Sequence, residues 1–219
     1  MLSGAAAMTD KNDHAALIIN GLSGGSRLEV FAPVFVALLR ELANGLPVSV
    51  RALAEASRQS LDQVDAALQQ ASDIEYEPAG DIVGYGITLR QTPHAFDVDG
   101  RRLHTWCALD TLMFPALIGK SARVHSLCPE TGMSVSLMVD PHELCAVEPA
   151  DAAVSLVVPK TGIRQSFCCQ VHFFSSRVAG DRWALRHAGI EVVSAEAAFH
   201  LGPEVARRLI KATANSDGA

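Results

Sequence analysis

The sequence predicts an α+β protein: an N-terminal winged-helix-like helical domain followed by a strand-rich core with α-helices at its C-terminal end. Three observations predict it. Segments with apolar residues at helical spacing precede a hairpin pattern in the first part of the chain. Beyond residue 93, Asp-Gly and Pro/Gly turn signals separate runs of β-branched and apolar residues. Two more helical patterns close the chain, a segregation of strands and helices typical of α+β folds. The expected organisation is a flexible leader over residues 1–25, the winged-helix-like helical domain over 26–92, and the strand-rich core with C-terminal helices over 93–219.

The leader is rich in small residues and shows little periodicity. "EVFAPVFVALLRELANG" then places Val30, Val34, Leu38 and Leu42 at helical spacing, with Gly45 as terminator. "SVRALAEAS" is a short second helix with Ser49 as N-cap. "SLDQVDAALQQ" is a third, opened by Ser60 and Gln63 in the capping-box arrangement. "IEYEPAGDIVGYGITL" reads as two strands around a Pro-Ala-Gly-Asp turn, anchored by Ile82, Tyr85 and Ile87. In the second half, Asp99-Gly100 marks a hairpin. "WCALDTLMF" is a helix stopped or kinked by Pro115, and "ARVHSLCPETGMSVSLMV" two strands around a Pro/Gly turn. "AAVSLVV" and "IRQSFCCQVHFF" are two further strands, and "DRWALRHAG" and "SAEAAFHLGPEVARRLI" are helices.

Composition narrows the function. With 219 residues, 49% of them apolar and 19% charged, the chain has material for a substantial core and ordinary globular composition. A net charge of −6 speaks against a dedicated polyanion binder, which grips phosphates with clustered Lys and Arg. The N-terminus lacks the basic region and apolar core of an export signal, and no run is long enough for a membrane helix, so a cytoplasmic location and no membrane partner are expected. Five cysteines, an odd number, then suggest free thiols rather than a disulfide framework.

"RQSFCCQVHFF" sets two cysteines side by side. On a strand they face opposite ways: Phe167, Cys169, Val171 and Phe173 form an apolar row, and Ser166, Cys168, Gln170 and His172 a polar one. Cys169 is therefore a small core hydrophobe and Cys168 the thiol placed to react. His172, on the Cys168 face, is read as an exposed strand histidine. In "TWCALDTL", Cys107 and Asp110 stand at i, i+3 and share a helix face. With Thr105 as cap, Cys107 lies in the first turn, where free N–H groups and the helix dipole favour a thiolate. Converging, Cys107, Asp110 and Cys168 offer two soft ligands and a proton carrier. Zinc fits poorly, since the short Cys-x-x-Cys spacing of closed tetrahedral sites is missing. Cys128 and Cys145 lack patterned partners. Met113 and Phe114 are either pocket-lining or plain core.

These cysteine-bearing strings, "WCALDTLMFPALIG", "ARVHSLC", "VEPADAAVSLVVP" and "IRQSFCCQVHFFSS", together with "LLRELANGLPVS" and "DIVGYGITLR", resemble the bacterial organomercurial (alkylmercury) lyase family over about residues 30 to 210. The resemblance implies a core of antiparallel β-sheets with peripheral α-helices and no organic cofactor. It implies Cys107 and Cys168 as mercury-binding thiols, Asp110 as the acid/base group, and Cys128 and Cys169 as structural cysteines. Cys145 matches nothing in the family pattern. The implied reaction is protonolysis of an organomercurial substrate to a hydrocarbon and Hg(II). The Hg(II) product is held at Cys107, Cys168 and Asp110 until small thiols or mercuric reductase accept it. A homodimer is among the assemblies the sequence allows.

Two rival functions share the same residues. A mercury- or thiol-responsive winged-helix transcriptional regulator would need a basic recognition helix, but "SLDQVDAALQQ" carries Asp62 and Asp65 and no Lys or Arg, so nucleic acid is not an expected partner. A passive soft-metal-binding protein would have no need of Asp110.

Overall fold

The computed structural model describes residues 6–71, 73–159 and 163–216. Helix α1 (Ala6–Ser23) opens the chain. For residues 6–25 it corrects the expectation of a flexible leader, whose residues 1–5 lie outside the described ones: Ala15, Ile18, Ile19 and Leu22 recur at helical spacing and are all buried, so one face of α1 packs on α9 and α2. Helix α2 (Leu28–Leu42) buries Phe31 to Leu39 without a break, which makes it a core helix rather than an amphipathic surface one. Helix α3 (Val50–Ser57) is capped by Ser49, whose hydroxyl accepts from the Ala52 N–H at 3.2 Å. Helix α4 (Leu61–Gln70) has the expected capping box: the Ser60 N–H donates to the Gln63 side chain at 2.8 Å and the Gln63 N–H to the Ser60 hydroxyl at 3.3 Å.

Strands β1 (Glu75–Tyr76), β2 (Ile82–Tyr85) and β3 (Ile87–Thr88) form the expected wing, with Ile82, Tyr85 and Ile87 buried. The wing does not stay within its domain. β3 pairs with β5 (Arg101–Thr105), so an eight-stranded antiparallel sheet runs across the expected 92/93 boundary in the order β1-β2-β3-β5-β4-β6-β7-β8. β4 (His94–Val98) meets β5 through Asp99 and Gly100, both at positive φ, the geometry of the predicted two-residue turn. β6 (Ala122–Leu127) and β7 (Ser134–Val139) pair as expected, and β8 (Leu144–Glu148), which carries Cys145, adds an unpredicted edge.

Helix α5 (Ala108–Ile118) lies between this sheet and helices α2, α8 and α9, and nearly every one of its residues is buried. Pro115 sits inside it without ending it, since the helix runs on to Ile118 and closes at Gly119. Met113 and Phe114 are fully buried core residues. A second antiparallel sheet, β10-β9-β11, is built from β9 (Ala153–Leu156), β10 (Phe173–Phe174) and β11 (Glu191–Ser194). Helix α7 (Arg177–Ala184) covers it, and α8 (Ala195–Phe199) and α9 (Leu201–Ser216) lead back to α5, α2 and α1. Gly202 permits that return, because a Cβ there would come within 2.9 Å of the Leu112 carbonyl oxygen. Among the described residues no single helix is long and apolar enough to cross a membrane; α1 and α2 together reach that length only across an 80° bend.

The segment from Ile163 to Phe174 departs furthest from expectation. It is not one strand but a helical turn, α6 (Ile163–Ser166), a 3-10 turn (Cys168–Gln170) and the two-residue β10. The alternating faces assigned to its cysteines therefore do not exist.

Candidate active site

β5 delivers the chain to α5 through Trp106, whose N–H donates to the Gly86 carbonyl at 2.9 Å. Cys107 itself is the N-cap of α5, in extended conformation; Thr105, expected as the cap, ends β5 and donates its hydroxyl to the Cys107 carbonyl at 2.9 Å. Asp110, three residues on, reaches back to accept the Cys107 N–H at 3.1 Å, which makes a capping box with a thiol in the place of serine. Asp110 is thus aimed by the helix start that also presents the Cys107 sulfur.

Cys168 arrives on the 3-10 turn. Buried Ser155 on β9 fastens the far end of that turn, donating its hydroxyl to the Gln170 carbonyl at 2.7 Å and accepting the His172 N–H at 2.9 Å. The Ala108 N–H donates to the Val171 carbonyl at 3.1 Å, so the start of α5 is bonded directly to the end of the turn. The result is one cluster: the ligand atoms of Cys107, Asp110 and Cys168 all lie within 4.8 Å of one another, and all three residues are buried. Surface clefts lined by Arg40 and Ser57, and by His142 and Phe199, lie elsewhere.

Burial sets the protonation of the cluster. It lifts the Asp110 carboxyl to about 7, against the neighbouring Cys107 thiol and the Cys107 and Trp106 backbone, which favour the charged form. Burial pushes the Cys107 thiol well up, reinforced by the hydrogen bond it gives the Cys168 sulfur and by the nearby carboxyl. For Cys168 the hydrogen bond from Cys107 pulls down, as does Arg164, but burial, Asp110 and Cys169 prevail and the thiol is raised. The resting site holds two protonated sulfurs beside a carboxyl poised near neutrality.

The remaining candidates divide. Cys169 is exposed and its thiol donates to the Gln165 carbonyl at 2.6 Å, so it contributes nothing to the core and the structural role expected of it has no basis in packing. Cys128 is buried in a small satellite cluster with Phe174 and Trp183, and Cys145 is half-buried on the edge strand β8. His172 is not an exposed strand residue: its half-buried ring stacks on His94 and meets Trp183 edge-on, and its Nε2 lies 3.0 Å from the Cys169 carbonyl. Sequence reasoning missed Ser155, which has no local motif. It also read Tyr85 only as an anchor. The Tyr85 ring packs edge-on against Trp106, the neighbour of Cys107, with centroids 5.3 Å apart, and burial pushes its phenol pKa up.

Known proteins share both halves of this arrangement. A family model described as alkylmercury lyase matches residues 87–207, and one described as the helix-turn-helix domain of alkylmercury lyase matches residues 17–86. The alkylmercury lyase of Pseudomonas putida is 51% identical over 204 residues, covering 92% of this chain and 96% of its own. That of Staphylococcus epidermidis is 45% identical, covering 80% and 82%, and that of Streptomyces lividans 42%, covering 90% and 92%. A crystal structure of the mercury-bound form of MerB2 superposes with a TM-score of 0.76 at 23% identity, over 92% of this chain and 99% of that one, and so shares the fold. With both of its parts matched and relatives of this identity along most of its length, the chain belongs to the alkylmercury lyase family of enzymes.

Proposed function

We propose that this protein cleaves carbon–mercury bonds by protonolysis, with Cys107 and Cys168 as mercury ligands and Asp110 as the proton carrier. The observation that supports it most is the single buried cluster of two sulfurs and a carboxyl within 4.8 Å. Zinc–sulfur bonds are already about 2.3 Å long, so sulfurs no farther apart than that cluster allows lie within the span of one larger soft ion.

The organomercurial enters as R–Hg bound to a small thiol. Cys168 displaces that thiol, which leaves carrying the Cys168 proton. Cys107 then bonds to mercury and gives its proton to the Asp110 carboxylate. Two thiolates raise the electron density on mercury and make the attached carbon basic. Asp110 delivers its proton to that carbon; the carbon–mercury electron pair forms the C–H bond, and the hydrocarbon leaves. Hg(II) stays on the two sulfurs and Asp110 is again a carboxylate. Covalent catalysis by soft nucleophiles is thus joined to general acid catalysis, with no organic cofactor. Small thiols, and mercuric reductase within the cytoplasm, are the proposed acceptors of the ion.

The N-terminal domain on this reading encloses the site rather than reading DNA, since α4 carries Asp62 and Asp65 and no cation. The testing experiment is incubation with phenylmercury and excess small thiol, with benzene measured by gas chromatography. Catalytic benzene release is expected. Stoichiometric mercury uptake without benzene would leave only a passive metal binder, and a low-salt gel shift would revive the regulator.

A further inference from the structure

Both cysteine-bearing segments are tied to one buried carboxylate that the reaction above does not use. Glu75, on β1, is 4% exposed. Its Oε2 accepts the Thr88 hydroxyl at 2.5 Å, and its Oε1 accepts the Trp106 indole N–H at 3.2 Å and an Arg164 guanidinium N–H at 2.6 Å. Trp106 is the chain neighbour of Cys107. Arg164 sits on α6, one helical turn before Cys168, and its guanidinium also lies over the Trp106 ring, 4.8 Å from the centroid. Gly84 on β2 makes room for the carboxylate, because a Cβ there would stand 2.5 Å from Oε2. A charge this deep is costly unless it is paired and hydrogen-bonded. Two of its three partners belong to the segments that deliver the sulfurs.

We propose that Glu75 is a positioning residue that, through Trp106 and Arg164, sets the separation of the Cys107 and Cys168 sulfurs. The proposal rests on the lyase reading of the cluster. The wing thereby acts on the chemistry without touching it: one carboxylate fixes the indole beside the first thiol and the guanidinium ahead of the second. Misplacement of reacting groups by about 1 Å can cost about 100-fold in rate.

The test compares Glu75→Ala, Glu75→Gln, Arg164→Met and Thr88→Val in the full chain. Two readouts are taken: kcat and KM for phenylmercury, and retention of Hg(II) against a competing small dithiol, which needs no turnover. Glu75→Ala should lower kcat about 10- to 100-fold with little change in KM and lose Hg(II) at lower dithiol concentration. Glu75→Gln keeps an acceptor oxygen for both Trp106 and Arg164 and should stay within severalfold of the unsubstituted protein on both readouts. Should Glu75→Ala fail to fold, Arg164→Met opens one arm of the same clasp and should show the same two losses. Thr88→Val releases the one partner outside the cysteine segments and should lower only Tm. Wild-type kcat and Hg(II) retention in Glu75→Ala or Arg164→Met would overturn the proposal, as would equal losses in Thr88→Val. Absence of benzene from the unsubstituted protein would instead sink the lyase reading, and Hg(II) retention would still decide the role of Glu75.

Discussion

Cys107 and Asp110 stand three residues apart at the start of α5, and the helix pattern alone put them on one face. Their joint use as a capping box was not legible, because thiols rarely serve as caps and the motif rules are written for Ser, Thr, Asp and Asn. Cys168 was preferred to Cys169 for a reason that fails: no strand exists there, and Cys168 joins the buried cluster while Cys169 is the exposed thiol outside it. Serine substitution at Cys107 or Cys168 should abolish benzene release, while Cys169→Ser should retain it, since its thiol only reaches the Gln165 carbonyl. Asp110→Asn should bind Hg(II) yet lose turnover. The pH dependence follows from the same carboxyl. In the proposed reaction Asp110 must be ionised to take the Cys107 proton, and burial raises its pKa to about 7. The kcat/KM of the unsubstituted protein should therefore rise with pH to a plateau above neutrality, at a fixed thiolate concentration of the small-molecule acceptor. A flat profile below pH 7 would separate Asp110 from the proton transfer.

Among the elements, the capped helices α3 and α4 and the hairpins at Asp99-Gly100 and Pro129–Gly132 follow from local signals, because their determinants lie within a few residues of one another. The Cys168 segment does not. Its apolar alternation imitates a strand, but its shape is imposed from outside, by Ser155 on β9 and by the Ala108 N–H at the start of α5. Ser155→Ala removes a donor and an acceptor from buried backbone groups, each costing about 1–3 kcal/mol when left unpaired. We expect lower Tm and faster exchange of the His172 amide, measured by hydrogen–deuterium exchange. Gly202 is the corresponding contact on the other side of α5. Gly202→Val should force α9 off the Leu112 carbonyl and cost about 1–3 kcal/mol, read as a drop in the denaturant midpoint; an unchanged midpoint would show that the two helices are not held at this distance.

In the molecule as a whole, the α+β class and the winged outline were legible, but their separation into independent domains was not. The sheet continues from wing to core through the β3–β5 pairing, and α9 comes from the far end of the chain to pack on α1, α2 and α5. Such long-range pairings leave no trace in local periodicity. Helix α1 was missed because its small and polar residues dilute the pattern, although Ala15, Ile18, Ile19 and Leu22 are buried together. Deleting residues 1–23 should lower stability, since burying each Ile or Leu side chain contributes about 1.5–3 kcal/mol; an unaltered Tm would restore the leader reading. This integration is what lets two sulfurs from distant segments, and a carboxyl beside them, share one buried cluster. X-ray absorption at the mercury edge, taken on the protein after a single turnover of phenylmercury in the absence of free thiol, tests that arrangement most directly. Two sulfur neighbours, reduced to one in Cys107→Ser or Cys168→Ser loaded directly with Hg(II) and unaffected by Cys169→Ser, are expected. A single sulfur neighbour in the unsubstituted protein, or a pair that survives either of the first two substitutions, would contradict the account.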